Sequence, residues 1–89
     1  MERNQIIGQL KKILVDDLFI SDNADDISET NHLGTDLGLD SVGFVELATI
    51  VGETFSIEIL DQDVGQGHFA TLELIADFIL ARQVGASAE

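Results

Sequence analysis

Apolar residues recur at helical spacing in three stretches of the chain. Ile6, Leu10, Ile13 and Leu14, with Ile7 beside them, form one stripe and predict a helix from about Asn4 to Leu18. Phe44, Leu47, Ala48, Val51 and Phe55 form a second stripe, predicting a helix from Ser41 to near Phe55. On that helix Val42, Glu46, Thr49 and Glu53 fall on the opposite side. Leu72, Ile75, Ala76 and Ile79, widened by Phe78, predict a last helix from about Leu72 to Gln83, with Thr71 as its cap. Ser56 to Leu60 alternates apolar and polar residues, as a short strand would. It has no strand partner nearby, so it reads as an extended linker. A short helical turn from Asp61 to Val64 follows, stopped by Gly65 and Gly67. The expected architecture is all-α: a small four-helix bundle of three longer helices and one short one. The connection from Ser21 to about Asp40 is long for a compact domain, and Ile27, Leu33 and Leu37 are expected to pin it to the core. Residues 1–84 read as one domain, with Gly85 to Glu89 as a flexible tail.

Length and composition narrow the function. At 89 residues there is room for one domain and one modest core, too little for most enzyme folds. An apolar fraction of 45% excludes an intrinsically disordered chain. No apolar run is long enough to span a bilayer, and Met1-Glu2-Arg3-Asn4 lacks a secretory pattern, so membrane insertion is not expected and a cytoplasmic protein is. The absence of cysteine excludes disulfides, thiolate zinc sites and a cysteine nucleophile, so any thiol must be brought in from outside. Seventeen acidic residues against four basic ones give a formal charge of −13. The basic residues, Arg3, Lys11, Lys12 and Arg82, lie near the two ends, and none occurs from Val15 to Ala81. Such a surface repels nucleic acid and attracts proteins with basic patches. Solubility alone is the simpler explanation of the same acidity.

The segment with chemical content is Asp36-Leu37-Gly38-Leu39-Asp40-Ser41-Val42-Gly43-Phe44-Val45-Glu46-Leu47. It places a serine at the mouth of a helix, where a phosphate would meet free N–H groups at the positive end of the dipole. No base is at hand to activate the hydroxyl, so Ser41 reads as an acceptor for modification by another enzyme. The competing reading makes Ser41 a helix cap. A nucleophile elbow needs glycine two residues before and two after the serine; Gly43 fits and Leu39 does not. His32 and His68, the only histidines, are not spaced as a pair of ligands, and a calcium loop starting at Asp22 fails at Ile27 and Leu33. No metal site is expected.

Leu37-Gly38-Leu39-Asp40-Ser41-Val42, followed by Glu46-Leu47, resembles the attachment motif of the acyl carrier protein family. The resemblance runs from Asn4 to Gln83, through Phe55 at the end of the second helix, the Ile57-Glu58-Ile59 linker with Asp61, and Thr71 to Ile79. It implies a four-helix bundle in which Ser41 carries 4′-phosphopantetheine from coenzyme A, whose thiol holds an acyl group as a thioester. The protein would then be a carrier and not an enzyme. Asp40 would cap the helix and contact the phosphopantetheinyl transferase, and Val42, Glu46, Thr49 and Glu53 would meet partner enzymes. The expected partners are an acyltransferase, ketosynthase or acyl-activating enzyme with basic patches, acting on a monomeric carrier. Leu60, the glycine-rich Val64 to Phe69 stretch, and Gly43 and Gly52 depart from the family's primary fatty-acid members and point towards a polyketide-type pathway. Alternatives are a peptidyl or D-alanyl carrier with the same arm, and an unmodified acidic interaction domain.

Overall fold

The computed structural model describes residues 2–87. Its helices are α1 (Arg3–Asp16), α2 (Ser41–Phe55), the short α3 (Asp61–Asp63) and α4 (Leu72–Ser87), and no strand forms among the described residues. The bundle is therefore all-α with three longer helices and one short one, as the spacing predicts. The predicted stripes supply most of the core: Ile6, Leu10, Leu14, Leu47, Val51, Leu72, Ile75 and Ile79 are fully buried, while Phe44 and Ala48 of the α2 stripe are only half-buried. The helix α1 packs most extensively on α4, with α2 against α1. Burial of a side chain of this size contributes about 1.5–3 kcal/mol, and these helices depend on such packing because isolated helices of this length are marginal. No helix of the described residues is long and apolar enough to cross a membrane.

The helix α1 ends at Asp16, before the predicted Leu18. The cause is Phe19, whose φ of 55° is left-handed and turns the chain out of the helix. Leu18 N–H donates to Ile13 O at 3.1 Å, and Ile20 N–H to Leu14 O at 2.9 Å, closing the helix end. The helix α4 continues through Ser87, past the predicted Gln83. Gly85, in what reads as the tail, lowers helix propensity by about 1 kcal/mol without breaking the helix. Ala88 and Glu89, the end of that tail, lie outside the described residues.

Local hydrogen bonds order the connection between α1 and α2. A 3-10 turn at Ala24–Asp26 is capped by Asn23, whose Oδ1 accepts from Asp25 N–H at 3.0 Å. Leu33 N–H donates to Ala70 O at 2.9 Å, and Glu73 N–H donates to Glu29 O at 3.2 Å, fastening the connection to the start of α4. Ile27 and Leu33 are buried as predicted, but the third deep anchor is Leu39, and Leu37 is only half-buried. The loop closes on itself where Leu39 N–H donates to Leu33 O at 2.9 Å, which places Leu39 beneath the start of α2.

The helix α2 ends where Ser56, at φ 55°, enters the left-handed region. A Cβ on Gly52 would approach the Ile57 carbonyl oxygen at 3.2 Å, so this glycine allows the linker to fold back across the helix. Beyond the linker, α3 opens with reciprocal bonds between Leu60 and Asp63: Leu60 N–H donates to Asp63 Oδ2 at 3.0 Å, and Asp63 N–H to Leu60 O at 2.9 Å. A wide turn, Val64–His68, continues α3 until Gly67 breaks it with φ 88°. Asp63 is buried, and its Oδ1 accepts from Arg82 Nη2 at 3.1 Å. The Arg82 guanidinium lies 4.6 Å over the Phe78 ring, against which His68 and Phe69 also pack. This cluster ties the short helix to α4. Arg3, at the start of α1, reaches Asp77, Glu73 and Glu29 at 3.1, 3.6 and 3.9 Å. Two of the four basic residues therefore serve the protein's own fold.

Candidate functional site

The tethered connection delivers the chain to the start of α2. Asp40 precedes the helix with extended backbone, and its Oδ1 accepts from Gly43 N–H at 2.8 Å. It is thus the cap, satisfying one of the helix's otherwise unpaired donors and placing a carboxylate at the positive end of the dipole. Ser41 is the first residue inside the helix. It is exposed, and its Oγ makes no hydrogen bond among the described residues. The capping reading of Ser41 is thereby excluded, since the neighbouring aspartate does that work. Asp40→Ala should lower stability by about 1 kcal/mol, read as a drop in the urea midpoint with an unchanged m-value.

Gly43 has a packing reason. A Cβ there would lie 2.5 Å from Leu39 Cδ1, 3.0 Å from its Cγ and 3.2 Å from the capping Asp40 Oδ1. The glycine lets the buried Leu39 pass under the first turn, and Leu39 in turn holds Asp40 and Ser41 in place. The roughly 1 kcal/mol of helix propensity that glycine forfeits is exchanged for this contact.

Ser41 stands at the edge of a groove of about 1070 Å³ between α2 and the α3 segment. Its walls are mostly apolar, with Phe44 and Ala48 from α2 facing Ile57, Ile59 and Val64. His32, which sequence spacing did not single out, also lines this groove. Thr35 N–H donates to His32 Nδ1 at 3.1 Å, which fastens the ring to its own loop. His68 instead packs on Phe78, at 5.2 Å between ring centres. The glycine-rich stretch forms part of the groove's rim through Gly65 and Gly67.

The four residues predicted on the outer side of α2 are all exposed, but they divide between two depressions. Thr49 and Glu53 border the groove. Val42 and Glu46, with Asp40, border a smaller depression of about 370 Å³ on the other flank. Thr49 donates its hydroxyl to Val45 O at 3.0 Å, leaving its methyl group as the surface it presents. Val45 is 60% exposed and belongs to the same face, although the helical wheel places it between the two sides. Among the described residues no Lys or Arg lines either depression. Among the described residues no three His, Cys, Asp or Glu side chains cluster closely enough to hold a metal ion.

The arrangement suits an acceptor hydroxyl better than a nucleophile of the chain's own making. No base contacts Oγ among the described residues, whereas an enzyme's nucleophilic serine needs one within hydrogen-bond reach. The exposed oxygen, the helix's positive end and the apolar groove beside it match the needs of a phosphodiester-linked arm with an apolar load.

Residues 8–79 match the model of a protein family described as the phosphopantetheine attachment site. Over 82 residues the chain is 32% identical to the mitochondrial acyl carrier protein of Neurospora crassa, covering 92% of this chain and 59% of that protein. Over 79 residues it is 34% identical to the acyl carrier protein of Coprothermobacter proteolyticus, covering 89% of this chain and 92% of that one. The chain thus spans about three-fifths of its mitochondrial relative and nearly the whole of its bacterial one.

Proposed function

This chain belongs to the acyl carrier protein family, whose cofactor is 4′-phosphopantetheine, and from that premise we propose that Ser41 is the residue that takes the arm. The observation that carries the assignment is the free, exposed Oγ of Ser41 at the groove's edge, next to an aspartate that has taken over the capping bond. When bound, the arm supplies a thiol that holds an acyl group as a thioester, which a chain without cysteine cannot do itself. The chain's own part is to present and orient. Asp40 and Leu39 hold the first turn of α2, its free N–H groups face the phosphate, and Phe44, Ala48, Ile57 and Ile59 offer apolar walls. In this reading the Ser41 hydroxyl is the chain's contribution to bond making.

The partners in this reading are the phosphopantetheinyl transferase that installs the arm, and the acyltransferase, ketosynthase or acyl-activating enzymes that load and use it. They meet Val42, Glu46, Thr49 and Glu53, together with Val45, on an acidic surface that favours basic partners. The pathway is fatty-acid or polyketide-type biosynthesis. Gly43 and Gly52 do not weigh between the two, because each has a local packing reason to be glycine.

The test is intact-protein mass after incubation with coenzyme A and a broad-specificity phosphopantetheinyl transferase, followed by peptide mapping. One phosphopantetheine is expected, on the peptide containing Ser41. No gain on the folded protein, with a known carrier modified in the same tube, would favour an unmodified interaction domain instead.

A further inference from the structure

Phe19 is unfavourable to the isolated fold in two ways. It is 81% exposed, the most of any large apolar residue among the described residues, so it gains little from burial. Its backbone sits at φ 55°, a region where a bulky residue is a genuine outlier and glycine is at ease. Strain of this kind concentrates where a side chain is needed for something other than folding.

The surroundings indicate what that is. Its neighbours Leu18 and Ile20 turn inward and line the smaller depression, whose other wall is Asp40, Val42, Gly43 and Glu46 at the start of α2. Phe19 lies between Leu18 and Ile20 in the chain, and Val42 on the other wall is itself 64% exposed. Asp40 and Glu46 add carboxylates, and among the described residues no Lys or Arg lines the depression. An exposed aromatic ring on one side of a depression, with an exposed aliphatic side chain and two carboxylates on the other, complements a protein surface bearing an apolar socket with an Arg/Lys rim.

Chemistry selects among the proteins that visit this carrier. An enzyme acting on a thioester does its chemistry at the far end of the arm, even where it meets Val42 and Glu46. The transferase must bring its reacting centre to Ser41 Oγ, and Asp40 and Val42, which flank that serine in sequence, line the depression beside Phe19. Resting on the assignment of Ser41, we propose that Phe19 is a docking anchor for the phosphopantetheinyl transferase, inserting into an apolar, basic-rimmed socket on that enzyme.

The experiment is steady-state transfer from coenzyme A by a broad-specificity transferase to wild type, Phe19→Gly and Phe19→Leu, with the Tm of each. Phe19→Gly should raise KM for the carrier about tenfold, with kcat within about twofold, as expected for loss of a binding anchor remote from the reacting atoms. Its Tm should equal or exceed that of wild type, because glycine relieves the backbone strain. Phe19→Leu, which keeps an apolar anchor, should recover most of the affinity. An unchanged KM in Phe19→Gly overturns the proposal, as does a KM rise accompanied by a fall in Tm, which would make Phe19 a structural residue. Failure of wild type itself to be modified would instead overturn the assignment of Ser41 and the docking role with it.

Discussion

Ser41→Ala should abolish addition of the arm completely while leaving the fold intact. The mass of the variant should not change after incubation with coenzyme A and transferase, and its urea midpoint should correspond to a stability within about 0.5 kcal/mol of wild type. Both halves follow from the start of α2. The substitution removes the only hydroxyl at the attachment position, and alanine cannot form the phosphodiester. Yet Oγ makes no hydrogen bond among the described residues, the side chain is exposed, and Asp40 supplies the cap. Alanine is also an excellent helix former, so its presence in the first turn carries no penalty. Asp40→Ala has the complementary pattern, losing stability while retaining the hydroxyl. A large loss of stability in Ser41→Ala would mean that the serine, and not the aspartate, holds the helix end. Arm addition to Ser41→Ala would move the attachment site elsewhere.

Leu33→Ala should have the largest effect on stability, about 2–5 kcal/mol, set by lost burial and the cavity left behind. Small domains have only about 5–15 kcal/mol in total, so the variant would be near its unfolding midpoint under mild denaturant. Leu33 is fully buried although it lies in the connection between α1 and α2. Its N–H donates to Ala70 O and its carbonyl accepts from Leu39 N–H, so it couples the start of α4 to the residue beneath Gly43. Urea unfolding followed by far-UV circular dichroism measures the shift. A midpoint within experimental error of wild type would show that the connection is not part of the cooperative unit, and would leave the geometry around Ser41 without its support.

The three long helices and their inward faces were legible from spacing alone because the helical repeat is local: a residue's neighbours three and four positions away determine which side it occupies. Leu47, Val51 and Phe55, and Ile75, Ala76 and Ile79, are buried as that repeat demands. The candidate serine was legible too, since Asp40-Ser41 at a helix mouth is a matter of adjacent residues. Legibility fell where no repeat operates. Leu37 and Leu39 are both leucines in one loop, and their order of burial depends on how that loop meets α2 and α4. The Leu18-Phe19-Ile20 run held a signal, since three consecutive apolar residues cannot all point inward, but which one projects depends on a backbone turn that no periodicity encodes. His32 comes to the groove through the fold of its loop, and His68 leaves it for Phe78.

The amino-acid order by itself thus determined the helices, their apolar faces, the acidic surface and the placing of a serine before an apolar turn, all through interactions between near neighbours or through summed charge. Tertiary structure decided where the groove lies and which leucine of the connection is buried beneath the start of α2. It also paired Asp63 with Arg82 and set Phe19 out in solvent. Each of those outcomes depends on the distance between segments far apart in the chain, and that distance is established only when the helices pack and the connection between α1 and α2 is drawn onto them.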